Sequence, residues 1–351
     1  MPPATLLESM HMRGMLLHMN LRFSPKIASY PSIARVTSTH TTITKGLPRT
    51  QRFAMTTTIF KHIDPSTIGK SKPWTKVDGP GQSFKMMDVA RPVHNIRGKE
   101  KEFTTDNSGF AVYNWPAKEK AFVDDQTVRD GYYAEVEDLL RKTHAGVKKV
   151  VIFDHTIRRR EKSSPRQPVQ QVHVDQTPEA AALRVRRHLP AEEAEQLLKG
   201  RYQIINVWRP IENPASDFPL AVVDWRSTSP KDFIPLDLMY PKRPDSAMDD
   251  DDRGKEKLPD ESKHFSTEGY EARGETLAVQ PNESHRFYYM RDMSPDEVMM
   301  LKCYDSYGND EPMGKQGLAV RTPHTAFIDP NTPADAPGRQ SIEVRCLVFY
   351  E

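Results

Sequence analysis

The spacing of apolar residues predicts a helix followed by a buried strand in the first half of the chain. Apolar side chains recur at helical spacing between residues 128 and 140, namely at Val128, Tyr132, Val136, Leu139 and Leu140. Asp124 or Asp125 can cap this helix at its start, and Gly146 ends it. The continuous apolar run from Val150 to Phe153 comes next, and we interpret it as a buried strand.

Beyond residue 170 the pattern changes to two helices and several short strands. Thr177 can cap a helix over residues 178–188, and a further helix over 190–199 ends at Gly200. Short apolar runs predict strands over residues 172–175, 202–207, 220–225, 287–290, 298–303, 324–328 and 342–350. Because short strands dominate, we expect a mainly β protein with flanking helices, built as a β-sandwich or a jelly roll.

The composition agrees with a loop-rich β protein and excludes several classes of partner. The 351 residues include 29 prolines and 17 glycines, a balance that disfavours long helices. The net charge is only +2, from 50 basic and 48 acidic residues, so nucleic acid is not an expected partner. No stretch reaches the roughly 18 apolar residues of a membrane span, so no membrane insertion is expected. Cys303 and Cys346 are too few for a disulfide scaffold and fit a reducing, cytoplasmic compartment.

The first sixty residues differ from the rest of the chain. Only one acidic residue occurs in 1–60, whereas basic residues, Ser and Thr are frequent there. We expect a disordered tail, with a mitochondrial presequence as the alternative, or translation that starts at Met55 rather than Met1. Residues 61–351 are expected to form a single domain, with a polar surface insertion at about 242–264.

Two His-x-Asp triplets are candidate metal ligands. His62 and Asp64 lie at the edge of the basic tail and run into Pro65, so we interpret this triplet as accidental. His173 and Asp175 lie on a Val-rich predicted strand. Residues i and i+2 of a strand share a face about 6–7 Å apart, so these two side chains can chelate one ion.

Three residues near the C-terminus complete the candidate site. His324 precedes an apolar run and can supply a third ligand, which would give the two imidazoles and one carboxylate of the facial triad in non-haem Fe(II) oxygenases. Arg339 and Ser341 follow, two residues apart on a predicted strand face. A guanidinium fork beside a hydroxyl suits the distal carboxylate of a dicarboxylic cosubstrate.

In this order, the motifs resemble those of the 2-oxoglutarate/Fe(II) dioxygenases. The sequence is most similar to the fungal branch around gibberellin desaturase and aspergillic-acid hydroxylase, which is related to the cephem-methoxylase component. The similar segments are Val151–Arg159, Val172–Thr177, Asn206–Ile211, Pro219–Ala221, Tyr288–Met290, Lys302–Ser306, Pro323–Phe327 and Arg339–Arg345. The resemblance covers about residues 91–350.

The resemblance implies a double-stranded β-helix, or jelly-roll, fold and an oxidoreductase activity. It implies that His173, Asp175 and His324 hold Fe(II), and that Arg339 and Ser341 bind 2-oxoglutarate. The expected reaction is hydroxylation or desaturation of a small molecule of the secondary-metabolite type, with O₂ as oxidant. Neither the substrate itself nor the oligomeric state follows from the resemblance.

Further residues are candidates for secondary roles. Strand alternation places Arg345 on the same face as Ser341, so Arg345 is a rival ligand for the cosubstrate carboxylate or a partner of Glu343. Three polar residues are candidate substrate contacts, namely Asn206, Arg209 and Arg321.

Two other functions compete with the oxygenase. One is a catalytically silent β-helix protein that binds a small molecule, although such a protein has no need of all three metal ligands. The other is a jelly-roll metal hydrolase with zinc at the same residues. A hydrolase has no use for the pair Arg339 and Ser341 as a second carboxylate site.

Overall fold

Two β-sheets make up most of the computed structural model, which describes residues 54–77, 81–160, 167–242 and 264–351. In chain order, the strands of these residues are β1 (Met55–Ile63), β2 (Trp74–Lys76), β3 (Met86–Asn95), β4 (Phe110–Asn114), β5 (Val147–Arg159), β6 (His173–Val174), β7 (Tyr202–Pro210), β8 (Leu220–Val223), β9 (Phe233–Pro241), β10 (Tyr270–Val279), β11 (Phe287–Tyr289), β12 (Glu297–Asp305), β13 (His324–Ala326) and β14 (Gln340–Tyr350). The larger sheet has the strand order β1-β3-β11-β8-β13-β6-β10-β9-β2, and the smaller has β4-β12-β7-β14-β5.

Among the described residues, the α-helices and one π-helical turn lie between β4 and β7 in the sequence, whereas short 3₁₀ turns also occur elsewhere. The former are α1 (Asp125–Thr127), the π-helical turn (Val128–Tyr132), α2 (Tyr133–Thr143), α3 (Pro178–His188) and α4 (Ala191–Leu197). Both predicted caps are present, since the side chain of Asp124 accepts from the backbone N–H of Thr127 and that of Thr177 from Ala180. No helix of the described residues is long and apolar enough to cross a membrane.

The two sheets pack face to face through a shared apolar layer. Phe110, Trp208 and Leu301 of the smaller sheet lie in one buried cluster with Leu220 and Val222 of β8 in the larger sheet. This arrangement agrees with the expected jelly roll, in which side chains from two inner faces form the core.

Helices cover the smaller sheet on its outer face. Val136 and Leu139 of α2 share a buried cluster with Ile205, Val344 and Val348 from β7 and β14. The helices α3 and α4 pack on the inner face at one end of the same sheet. All nine residues of β7 are buried, because helices or the larger sheet cover both of its faces.

The shortest strand of the larger sheet, β6, sits in its interior. It joins five strands on one side to three on the other in the hydrogen-bonded order. Its two residues pair with β13 through His173 and His324, and with β10 through the pairs His173–Ala278 and Val174–Leu277. The predicted strand over 172–175 is therefore shorter than expected, and Asp175 lies just past its end.

The strand predicted at Val150–Phe153 is longer and less buried than its apolar run suggests. β5 spans thirteen residues, and most of them are half-buried, because it is an edge strand of the smaller sheet that pairs only with β14 there. The charged residues near Arg158 are typical of a loop, so the apolar pattern predicts a strand that ends too early.

The ordered fold begins before the predicted boundary at residue 60. β1 starts at Met55 and pairs along its whole length with β3. Phe60 is 1% exposed, and its ring stacks on Phe287 with centroids 3.9 Å apart. The first strand therefore starts six residues before the expected domain start at residue 61. Residues 1–53 of the expected tail and residues 243–263 of the expected insertion lie outside the described residues.

Phe60→Ala should lower the free energy of unfolding by about 3–5 kcal/mol, because it removes a fully buried aromatic side chain and leaves a cavity. Ile59→Ala is the matched control on the same strand. Ile59 is 51% exposed, so its truncation should cost less than about 0.5 kcal/mol. Urea denaturation followed by circular dichroism measures both, and equal losses would show that β1 does not contribute to the core.

Candidate active site

Two neighbouring strands of the larger sheet bring three candidate metal ligands together. His173 begins β6 and His324 begins β13, and the two residues are direct partners across the strand pair. The Oδ1 atom of Asp175 lies 3.4 Å from Nε2 of His173 and 3.8 Å from Nε2 of His324. One ligand atom from each residue lies within 4.8 Å of the others, close enough to share one ion.

Backbone carbonyls fix the protonation of both imidazole rings. The Nδ1 atom of His173 lies 2.7 Å from the carbonyl oxygen of Gln171, and that of His324 lies 3.1 Å from the carbonyl oxygen of Thr322. A carbonyl can only accept, so Nδ1 carries a proton in both charge states of each ring, and Nε2 offers its lone pair to the site when the ring is neutral. Every residue has a backbone carbonyl, so the sequence does not indicate that those of Gln171 and Thr322 orient the two histidines.

The charges at the site favour metal-binding forms of two of these ligands. Burial alone would raise the pKa of Asp175, but the hydrogen bond from His173 and the charge of Arg345 outweigh it and hold the pKa well below its usual range. Burial lowers the pKa of His324, and the nearby His173 adds to this shift. The carboxylate is therefore ionised, and His324 is neutral, as metal coordination requires.

The pKa of His173 moves in the other direction. Burial opposes the charged form, but the hydrogen bond and the charge of Asp175 raise the pKa. The lone pair of Nε2 that would take this proton is the one that faces the other two ligands. A metal ion at this position would therefore compete with a proton.

A small cavity of about 50 Å³ connects the three ligands to Arg339 and Ser341. Both side chains are buried, at 4% and 1% exposure. The Arg339 Nη1 atom donates to the carbonyl of Phe218 at 2.7 Å, whereas its Nε and the Ser341 hydroxyl have no hydrogen-bond partner among the described residues. Burial lowers the pKa of Arg339 to about 9, with Arg158 contributing. Buried donors without acceptors are costly, so the pair fits an anion placed between them.

Arg345 lies on the same face of β14 as Ser341, but its N–H groups donate to other protein groups. Its Nη1 lies 3.0 Å from both Asp154 Oδ1 and Thr156 Oγ1, and its Nη2 lies 2.5 Å from Glu343 Oε1. Its Nε lies 3.2 Å from Oδ2 of Asp175. The alternation of β14 thus places Arg345 as expected, and the geometry favours the ion pair with Glu343 over the role of rival cosubstrate ligand.

A larger cavity of about 260 Å³ adjoins the small one and also reaches His173 and Asp175. The two cavities share His173, Asp175, Thr156, Arg158, Val169 and Arg345 in their linings. The edge strand β2 and its neighbour β9 form the far wall, through Thr75 and Lys76 of β2 and Leu238 and Tyr240 of β9. Nothing in the local sequence of β2 or β9 indicates this wall, because their pairing with each other and with β10 creates it.

The three predicted substrate contacts lie in different places. Asn206 is buried beside Asp175, to which its Nδ2 donates at 2.7 Å. Arg209 lies on the outer face of β7 over the Tyr132 ring, with Nη2 donating to the Trp115 carbonyl at 2.8 Å. Arg209 does not line either cavity, so its predicted contact with substrate has no support in this geometry.

Arg321 and the second His-x-Asp triplet also lie apart from the site. Arg321 lies over the Phe233 ring and lines neither cavity, so its predicted contact is likewise unsupported. The Nδ1 of His62 is 3.0 Å from the Val279 carbonyl, and Asp64 caps a 3₁₀ turn at Pro65–Thr67. The described residues place no third candidate ligand beside that pair.

Comparisons with known proteins agree with this geometry. A family model described as an oxidoreductase/YMDC permease-like domain matches residues 61–349. The hydroxylase/desaturase efuI of Hormonema carpetanum is 34% identical over 275 residues, which cover 74% of this chain and 83% of that protein. The Fe(II)/2-oxoglutarate-dependent dioxygenase nvfI of Aspergillus novofumigatus is 33% identical over 264 residues, or 73% of this chain and 81% of that protein.

The fold is also similar to a solved structure. The iron and alpha-ketoglutarate-dependent endoperoxidase NvfI superposes with a TM-score of 0.68 at 28% sequence identity. The match covers 84% of this chain and 98% of that one. The jelly-roll fold expected from the sequence is confirmed by this match.

Proposed function

Because the chain belongs to the family of fungal Fe(II)/2-oxoglutarate-dependent hydroxylases and desaturases, we propose that it oxidises a C–H bond of a small organic molecule. In this proposal His173, Asp175 and His324 hold Fe(II), and Arg339 and Ser341 hold 2-oxoglutarate. The observation that carries it is the small cavity, where the buried Arg339 Nε and Ser341 hydroxyl, which have no hydrogen-bond partner in the described part of the chain, line the same space as three candidate metal ligands.

The donor set suits Fe(II). Two neutral imidazole nitrogens and one carboxylate oxygen form a facial triad, which leaves coordination positions open for cosubstrate and O₂. When bound, Fe(II) and 2-oxoglutarate would supply the electrons that activate O₂ for attack on an unactivated C–H bond, and 2-oxoglutarate would leave as succinate and CO₂. The protein fixes the ligand atoms in advance, through the carbonyls of Gln171 and Thr322 and through the groups that hold Asp175.

The same cavity suits 2-oxoglutarate. A carboxylate buried without a partner is prohibitively costly, and a guanidinium can donate two parallel N–H bonds to it. Ser341 of β14 lies two residues after Arg339, lines the same cavity and adds a hydroxyl donor. The cosubstrate would therefore lie between this pair and the metal ligands.

The substrate would occupy the larger cavity. This cavity also exposes His173 and Asp175, so a molecule bound there lies beside the metal. Its wall combines apolar side chains such as Val169 and Leu238 with polar ones such as Tyr240. Such a lining suits a small organic molecule that has both apolar and polar groups.

Turnover without added substrate is the direct test of the proposed function. The full chain, loaded with Fe(II) under air, should convert 2-oxoglutarate slowly to succinate, and this conversion should stop when Zn(II) replaces Fe(II). Mass spectrometry of a metabolite screen would then seek products that gain one oxygen atom or lose two hydrogen atoms. Hydrolysis with Zn(II) and no succinate with Fe(II) would favour the metal hydrolase, and metal binding with neither reaction would favour a silent binding protein.

A further inference from the structure

The two oxygen atoms of Asp175 have different surroundings. Oδ1 faces the imidazole nitrogens of His173 and His324. Oδ2 faces away from them and accepts two hydrogen bonds, from Nδ2 of Asn206 at 2.7 Å and from Nε of Arg345 at 3.2 Å. We infer that Asn206 and Arg345 are positioning residues, which hold Asp175 so that only Oδ1 is presented to the metal. The inference rests on the proposed function, because it takes these three residues as the metal ligands.

The orientation of Arg345 is fixed by groups on two paired strands. Arg345 lies on β14 directly opposite Asp154 of β5, and it also contacts Thr156 of β5 and Glu343 of its own strand. With the contact to Asp175, the three nitrogen atoms of the guanidinium thus make four hydrogen bonds, which together fix the orientation of its plane. A guanidinium held in this way defines the position of the Asp175 carboxylate.

Asn206 reaches Asp175 from β7, the strand on the other side of β14. Asn206 and Arg345 are direct partners in the β7–β14 pair, so two adjacent positions of the smaller sheet both donate to Oδ2 of Asp175. Asn206 is fully buried, and its side chain does not line either cavity. Contact with the substrate, the role predicted for Asn206 from sequence, is therefore less well supported than contact with the metal ligand.

The charges around Arg345 also point to a cation. Asp154, Asp175 and Glu343 all lie within 3.2 Å of its guanidinium, so three carboxylates surround one positive group. With neutral histidines, the formal charge of this cluster is −2. A divalent ion at Oδ1 of Asp175 would balance it, which couples metal binding to the same contacts that orient the carboxylate.

Using a single oxygen of Asp175 has a chemical purpose. A carboxylate that binds through both oxygens takes two coordination positions, whereas one that binds through one oxygen leaves a further position open. The proposed reaction needs open positions for both 2-oxoglutarate and O₂. Asn206 and Arg345 occupy Oδ2 and so prevent the two-oxygen mode.

Titration of the metal-free full chain with Co(II), followed by the visible absorption of the bound ion, tests this inference. Arg345→Lys keeps the charge but loses the fork, and Asn206→Ala removes the second donor without touching the ion pairs. Each should weaken Co(II) binding by about 10–100-fold and change the absorption bands, which report coordination geometry. Arg209→Lys is the matched control, because Arg209 is equally buried, lies on the same strand as Asn206 and contacts neither cavity.

The outcomes separate this inference from the proposed function. If the unmodified chain binds no Co(II), the metal site itself is wrong. If the unmodified chain binds Co(II) and both variants match it in affinity and spectrum, the positioning role is wrong. Equal weakening in Arg209→Lys with unchanged bands would also overturn it, as a general loss of stability. Should Arg345→Lys fail to fold, Asn206→Ala decides the question alone.

Discussion

Asp175→Ala should abolish the conversion of 2-oxoglutarate to succinate and remove bound iron from the purified protein. The substitution deletes the only charged group of the proposed ligand set and leaves two neutral imidazoles, which bind Fe(II) far more weakly. The loss should exceed the roughly 10–100-fold that is typical when a partner outside the ligand set is removed. Iron analysis and a succinate assay measure the two effects separately.

The fold should survive Asp175→Ala, because Arg345 keeps its contacts with Asp154, Thr156 and Glu343. The far-ultraviolet circular dichroism spectrum of the variant should therefore match that of the unmodified chain. Asp64→Ala is the matched control, since it alters the other His-x-Asp triplet, where Asp64 only caps a short turn. Full activity and iron content in Asp175→Ala, with both lost in Asp64→Ala, would move the metal site to His62 and Asp64.

Arg339→Lys should raise the KM for 2-oxoglutarate at least tenfold, which corresponds to about 1.4 kcal/mol. Lysine keeps the positive charge but replaces two parallel N–H donors with a single ammonium group, so the bidentate contact with a carboxylate is lost. Iron binding should be nearly unchanged, because Arg339 does not contact any of the three proposed ligands directly. Succinate formation at varied 2-oxoglutarate and saturating Fe(II) measures the change.

Arg345→Lys is the informative comparison for this experiment. Arg339 directly precedes β14 and Arg345 lies on it. Protein acceptors surround Arg345, whereas the Nε of Arg339 has none among the described residues. At saturating Fe(II), Arg345→Lys should therefore change stability more than the KM for 2-oxoglutarate. The opposite result, a tenfold rise in KM for Arg345→Lys alone, would identify Arg345 as the cosubstrate ligand.

Local patterns in the sequence predicted those parts of the fold that local interactions determine. The helix over 178–188 has the predicted bounds, because a Thr cap and a following Pro define its start within a few residues. The His-x-Asp spacing predicted two groups on one strand face, and His324 was matched to them by residue type across 149 residues. The structure brings all three together because β6 and β13 are neighbours.

The features missed by the sequence analysis depend on contacts between distant segments. The first six residues of β1 fall in the expected tail, because Thr56, Thr57 and Thr58 continue the Ser- and Thr-rich composition of that segment, although β-branched Thr also favours strands. Burial of Phe60 against Phe287 decides between these two interpretations, and no local pattern shows it. The far wall of the larger cavity, which includes Leu238 and Tyr240, has the same origin, since it exists only once β9 lies between β10 and β2.

The position of β6 has a consequence for the protein without its metal. Five strands lie on one side of this two-residue strand and three on the other, so it is the narrowest connection in the larger sheet. An ion bound by both His173 and His324 would stabilise the pairing of β6 with β13. Amide hydrogens near residues 172–176 would then exchange with solvent faster in chelator-treated protein than in metal-loaded protein, while those of β7 would be unaffected. The iron would thus stabilise the pairing of β6 with β13 in addition to its role in the reaction.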